Sequence, residues 1–532
     1  MAADLLYLKE DAYFEPLINH WFAWSYLVPP VQAARYIATR HKRTMMSFVK
    51  NSQLHILASK EAVLSGGDFL DAREDQVDEI RALIAEIDER RADVVALSDA
   101  VKNLDDLIRK HTNGESIEYL YAQVPEPLKG YVEITMDMNH NPSYRLLEVL
   151  LYRSSHYKPD LQSVSFGLVS QVEQRPFCFS TPRLPDENHV QLGLHFNSPE
   201  LTTILRSRVE GAPRELIHDI FSRANKAGGL DHRRLFCPNA PSRQHTPVAK
   251  GLRVRFLGHA SFLLETPRVS IAMDPVIAVR GAQYANEVFS YSELPPKLDY
   301  ICITHNHQDH YNLETLLQLR HRTGKLILPV NNGGTLPDPS MKLIARQLGF
   351  EVIEVDDFDQ IPIPHGTLTA IPFLGEHGDL NVRSKTAWFV ELEGRKFFFG
   401  ADATNYDPCM YKHVQAIVGD VDVLAIGMEC VGAPYTWLYG ALNTKAVSKS
   451  IMNSRRLNGA NAEQASHLVD TFNARQVYLY ALGMEPWYRY FMGTDYSGGN
   501  PEQIVQSDKM IAHCALKGIP CERLSGKKTL DL

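Results

Sequence analysis

Ile301-Cys302-Ile303-Thr304-His305-Asn306-His307-Gln308-Asp309-His310 decides how this chain reads. Four side chains able to bind a metal, His305, His307, Asp309 and His310, crowd into its last six positions, after a mostly apolar run over 298–303. Such a run reads as a buried strand, which puts the four at its C-terminal end and in the loop beyond. His305 and His307 are two apart, so in extended backbone they point the same way. Asp309 and His310 are neighbours and diverge. One pair can then grip one ion while the other grips a second ion beside it. The plain alternative is a polar turn, but His-x-His-x-Asp-His after an apolar strand points to a metal site. Asn312 offers an N-cap to a helix carrying Leu313, Leu316, Leu317 and Leu319.

Moving outward, the second half of the chain alternates strands with helices. It opens with a strand over 252–257, the turn Gly258-His259-Ala260-Ser261, a strand over 262–265 and a third over 269–273 that ends at Asp274-Pro275. His259 either lines the site or serves as a turn residue, and Asp274 stabilises its loop rather than binding metal. Past the motif, strands are expected at 325–330, 351–355 and 368–372, followed by Gly375-Glu376-His377-Gly378-Asp379. Runs 387–392 and 395–399 flank Glu393-Gly394 and form a hairpin that delivers Gly400-Ala401-Asp402 at a strand end. A further strand over 421–426 leads to Glu429, and one over 477–481 leads to Gly483-Met484-Glu485-Pro486-Trp487.

The first half reads as α+β. Residues 12–50 are expected to be helical on both sides of Pro29-Pro30. Over 71–110, Val77, Ile80, Ile84 and Ile87, then Val94, Leu97, Val101, Leu104 and Ile108, recur in heptad-like spacing broken at Arg91. The helices there pack either on their own domain or on a second subunit. Strands are expected at 131–138, 144–152, 163–169 and 190–196, and a helix over 198–224. The Pro-containing, basic stretch 229–250 suits a linker, so the domains are expected at 1–250 and 251–532.

At 532 residues, two or three domains are expected. A net charge of −8 disfavours nonspecific nucleic-acid binding, which needs a basic face. Seven scattered cysteines give neither a disulfide framework nor a zinc knuckle and fit a reducing cytoplasm. Asp4, Glu10 and Asp11 are unlike a signal peptide, and the apolar window 21–31 is too short to span a bilayer.

The 305–310 motif resembles the signature of the metallo-β-lactamase superfamily. That resemblance implies an αββα sandwich for the second half, hence an α/β class for that domain. In hydrolytic members two zinc ions are usual, with a third histidine downstream, a bridging Asp and a last histidine. Asp402 matches the bridging Asp. The third-histidine region reads Glu376-His377, so either residue could bind. The last-histidine region, 481–487, contains no histidine; Glu485 is the nearest candidate there, but the Pro486-Trp487 that follows it favours a packed turn instead. Fewer imidazoles and more carboxylates suit iron or manganese better than a histidine-rich set does.

The combination of 305–310, 375–379, 400–402 and 483–487 is similar to the dinuclear-iron β-hydroxylases of nonribosomal peptide assembly lines, typified in chloramphenicol biosynthesis. In that family a glutamate replaces the third histidine, which implies Glu376 here, with His377 as its partner behind it. The resemblance implies two iron ions, one held by His305, His307 and Glu376, the other by Asp309 and His310, with Asp402 bridging. Glu429 would hydrogen-bond into the site or swing onto the metal; the competing reading is an acid behind the ligands or on the surface. O2 and an external electron donor, its identity open, would drive β-hydroxylation of an amino acid tethered to a carrier (thiolation) domain, in a homodimer. The alternative is a dinuclear zinc or manganese hydrolase, a lactonase or phosphodiesterase, with His377 as ligand.

Overall fold

A computed structural model describes residues 4–61, 64, 67–169, 173–493 and 501–530. Two seven-stranded sheets form its second half. The first runs in the order Val352–Val355, Thr323–Pro329, Leu298–Cys302, Ser270–Met273, Ser261–Glu265, Arg253–Gly258, Lys528–Leu530. The second runs Gln360–Ile363, Gly366–Ile371, Ala387–Leu392, Arg395–Phe399, Val423–Gly427, Gln476–Tyr480, Cys521–Arg523. Their inner faces meet in one core that includes Phe256, Phe262, Met273, Trp388, Phe397, Phe399 and Tyr480. The outer face of the second sheet carries the helices Pro408–Val418, Ala462–Thr471 and Glu502–Leu516. The first sheet is backed by Leu313–Leu319 and Met341–Gln347. This is the expected αββα sandwich.

Local chemistry explains several of these elements. Asn312 caps Leu313–Leu319 by accepting the Thr315 N–H, as its side chain predicts. The hairpin 387–399 closes with Leu392 opposite Arg395, and Glu393 and Gly394 both take positive φ, 50° and 76°. That is the two-residue turn whose twist matches paired strands.

In the first half, the expectation of helix before Pro29 is overturned. Ala12–Ile18 is a strand, paired antiparallel with Gln162–Leu168 over its whole length. Every residue of it is buried, so both faces are occupied and neither a period of two nor one of 3.6 shows in the sequence. Helix begins only at Pro30, whose fixed φ suits a first helical position. The expected strand over 144–152 ends at Leu146, and Glu148–Tyr152 is helical. The helix expected over 198–224 is two, Pro199–Glu210 and Arg214–Arg223, parted at Gly211-Ala212-Pro213. The heptad-like runs are the helices Val77–Arg90 and Ala92–Arg109, divided at Arg91 as expected. Ile80, Ile87, Val94, Leu97, Val101, Leu104 and Ile108 are buried in the chain's own core, so this seam is covered without a second subunit.

The first half packs directly on the sandwich. Trp24, Tyr26 and Val31 share a core with Ile301, Ile303, Tyr311 and Leu316. Ser25 Oγ donates to the Asn306 carbonyl at 2.7 Å, and Asn306 Nδ2 donates to the Tyr26 hydroxyl at 3.0 Å. The metal-motif loop is therefore gripped from the N-terminal side. Among the described residues, no helix is long and apolar enough to cross a membrane.

Trp388 links core to loop, being fully buried with its Nε1 donating to the Ile303 carbonyl at 3.3 Å. Trp388→Ala should lower unfolding free energy by about 3–5 kcal/mol through the cavity it leaves. Urea denaturation of the metal-free chain measures this, and an unchanged midpoint would contradict the packing described.

Candidate metal centre

The site forms where strands of both sheets end. Leu298–Cys302 runs into Thr304 and the motif, Ser270–Met273 into Asp274, Gly366–Ile371 toward Glu376, Arg395–Phe399 into Asp402, and Val423–Gly427 toward Glu429. Two glycines make room. A Cβ on Gly427 would sit 2.4 Å from Asp402 Oδ1, and one on Gly375 would sit 2.3 Å from Thr404 Oγ1, where φ is also +91°.

Each imidazole of the motif is held by the nitrogen that faces away from the centre. His305 Nδ1 lies 3.0 Å from Thr304 Oγ1, which itself donates to Asp274 Oδ2 at 2.6 Å. His310 Nδ1 reaches the same Asp274 oxygen at 2.8 Å. His307 Nε2 meets the Tyr439 hydroxyl at 2.8 Å. Such outer hydrogen bonds fix ring orientation and tautomer in metal-binding histidines. They leave His305 Nε2, His307 Nδ1 and His310 Nε2 turned inward.

Facing those atoms are carboxylates. Glu376 Oε1 lies 2.8 Å from His307 Nδ1, and Asp402 Oδ2 lies 3.0 Å from His310 Nε2 and 3.8 Å from His305 Nε2. Asp309 Oδ2 lies 3.5 Å from His310 Nε2. Three sets each bring candidate ligand atoms within 4.8 Å of one another: His305, His307 and Glu376; His305, His310 and Asp402; His259, Asp309 and His310. His377 joins none of them. Its ring stands 4.6 Å from that of His307, and its buried Nε2 has no partner.

The electrostatics call for cations. Burial, followed by Asp402 and Asp309, pushes the Glu376 carboxyl well above its ordinary range. Burial, followed by Asp309, Asp402 and Glu376, does the same to Glu429. Burial holds His307 down to about 4, and burial with the neighbouring His310 holds His305 well below its usual value. Burial opposes charge on His310, but Asp402, Asp309 and Asp274 outweigh it and raise that ring well above. His305 and His307 are thus already neutral, as metal ligands must be, while the raised Glu376 and His310 would each give up a proton to a bound cation. Two inward atoms, His305 Nε2 and Asp402 Oδ1, are buried without any hydrogen-bond partner, as unfilled ligand atoms would be. The residues present thus fit a pair of metal ions.

A cavity of about 700 Å³ opens onto this cluster. Asp309, Glu376, Asp402 and Glu429 line its inner end, and Phe177, Phe179, Trp437, Leu438 and Phe491 supply apolar wall. Glu485 sits in a packed turn, the reading that its neighbours Pro486-Trp487 favour. Its carboxylate accepts the backbone N–H of His259 at 2.9 Å, so it is occupied in holding a turn. His259, left open in the sequence, lines the site with Nε2 2.8 Å from Asp309 Oδ2. Tyr439 was not anticipated, because nothing near it in sequence marks it out.

Residues 7–240 match the family model of the diiron non-heme β-hydroxylase N-terminal domain, and 270–479 match that of the β-lactamase superfamily domain. The 4-amino-L-phenylalanyl-[CmlP-peptidyl-carrier-protein] 3-hydroxylase of Streptomyces venezuelae is 36% identical, with 99% of each chain covered. The crystal structure of CmlA, a diiron β-hydroxylase from the same organism, superposes with a TM-score of 0.91 at 34% identity, covering 100% of both chains. An N-acyl-phosphatidylethanolamine-hydrolyzing phospholipase D from Caenorhabditis elegans is 26% identical over only 33% of this chain and 53% of its own.

Replacing Glu376 and His377 in turn separates the two ligand readings. Glu376→Ala should lose metal, measured per chain by elemental analysis, whereas His377→Ala should retain most of it. The reverse result would make His377 the ligand.

Proposed function

Because this chain belongs to the family of non-haem diiron β-hydroxylases, we propose that it hydroxylates the β-carbon of an amino acid held as a thioester on the carrier domain of a nonribosomal peptide synthetase. The co-substrate in this reading is O2, and an external donor supplies electrons. The observation that carries the reading is the direction of Glu376. Its carboxylate, not the His377 ring, meets His307 Nδ1, so the inward donor set has three imidazoles and several carboxylates. Oxygen-rich donor sets favour iron over zinc.

In this reading His305, His307 and Glu376 would hold one iron, Asp309 and His310 the other, and Asp402 would be shared between them. When bound, such a metal pair would supply the redox chemistry that the hydroxylation needs. The chain's own residues position and protect. Asp274, Thr304 and Tyr439 lock the imidazoles from behind. Phe177, Phe179, Leu438 and Phe491 keep an apolar wall around the cavity, which limits water near the reacting carbon. Glu429 lines the cavity beside Asp309, Glu376 and Asp402, placed to hydrogen-bond into the site or to swing onto the metal.

The hydrolase alternative needs His377 among the ligands, and His377 belongs to none of the three sets. A homodimer belongs to the proposed reading, with its contact on a face other than the 77–108 seam. So does a cytoplasmic setting, supported by seven cysteines that are all free, and a division into domains near residue 250.

The substrate claim is tested by supplying the iron-loaded, reduced enzyme with the same amino acid free and carrier-bound. Mass spectrometry should find a gain of one oxygen on the carrier-bound form only. Equal turnover of the free amino acid would contradict the carrier assignment.

A further inference from the structure

His259 sits at a two-residue turn between Arg253–Gly258 and Ser261–Glu265, with a positive φ of 49°. The loop after Gln476–Tyr480 holds that turn at both of the histidine's backbone polar groups. Glu485 Oε1 accepts its N–H at 2.9 Å, and the Ala481 N–H donates to its carbonyl at 3.0 Å. The Tyr488 ring also stands against it, with centroids 6.2 Å apart. These contacts fix the backbone from which the imidazole projects.

The imidazole points at Asp309. Nε2 lies 2.8 Å from Oδ2, and His259 is 1% exposed. Nδ1 is buried and has no partner. That difference separates His259 from its neighbours. The rings of His305, His307 and His310 are each tied at the far nitrogen, which frees the near one for a metal. His259 has its near nitrogen tied and its far one bare. A protonated Nε2 donating to the carboxylate leaves only a lone pair unmatched at Nδ1, which costs less than a buried, unmatched N–H.

We propose that His259, clamped by Glu485, is a positioning residue for Asp309. Its Nε2–H holds one oxygen of that carboxylate, fixes the rotation of the group and prevents a two-oxygen grip on the ion. The loop 481–487, which carries no histidine, thereby serves the second metal position indirectly, and that position keeps coordination sites open. This inference rests on the dinuclear reading of the site.

The test is anaerobic titration of the full-length, metal-free protein with iron(II), comparing wild type with His259→Gln, His259→Asn and His259→Leu. A glutamine amide reaches the Nε2 position, whereas an asparagine amide stops at that of Nδ1. Wild type and His259→Gln should take up two ions. His259→Asn and His259→Leu should bind the first ion normally and the second about 10–100-fold more weakly. If His259→Leu fails to fold, as judged by circular dichroism, the Gln and Asn variants alone carry the comparison. Unchanged second-ion affinity in all variants would overturn the proposal. So would loss in His259→Gln equal to that in the other two, since it would make the imidazole itself a ligand. Failure of wild type to bind a pair of ions would instead remove the dinuclear reading beneath it.

Discussion

Asp274 accepts the Thr304 N–H at 2.7 Å, the Thr304 hydroxyl at 2.6 Å and His310 Nδ1 at 2.8 Å, in full burial. Burial raises its pKa, and His310 and Thr304 pull it back. A buried carboxyl in that position is costly unless its oxygens are satisfied. Here the satisfaction is also what shapes the centre. One carboxylate joins the end of one strand to the loop after the next, orients His310 directly and orients His305 through Thr304. Its own strand is clasped in turn, because Ser261 Oγ donates to the Asp274 carbonyl at 2.7 Å. The inward nitrogens are thus aimed by residues that stand behind them.

The large first domain completes that arrangement from the other side. Tyr26 receives Asn306 from within the motif, donates to the Pro337 carbonyl at 2.6 Å and packs edge-on to Tyr439 with centroids 5.4 Å apart. Tyr439 in turn holds His307. Phe177 and Phe179 bring the same domain into the cavity wall. Because the first domain lies against both the ligand loop and the cavity, a sandwich alone would leave the motif loop unsupported and the reacting space open to water.

What the sequence disclosed depended on how local each signal was. The 305–310 motif was legible because its metal-capable side chains are neighbours, and the 387–399 hairpin because Glu393-Gly394 marks its turn. Asp402 was legible from its place at a strand end. Glu376 and His377 are adjacent, so only backbone conformation separates them; Glu376 takes φ +69° and turns toward His307. The partners of His259 lie 50 and 226 residues away, beyond any local pattern. The strand Ala12–Ile18 was misread for a related reason. Its two faces are covered by elements distant in sequence, which erases the alternation that would have revealed it.

Iron content, measured by elemental analysis with an absorption spectrum on the purified protein, tests the central claim most directly. About two irons per chain, with O2 consumed on reduction in the presence of loaded carrier, is the predicted result. About two zincs per chain, with no oxygen consumption after iron reconstitution, would contradict it.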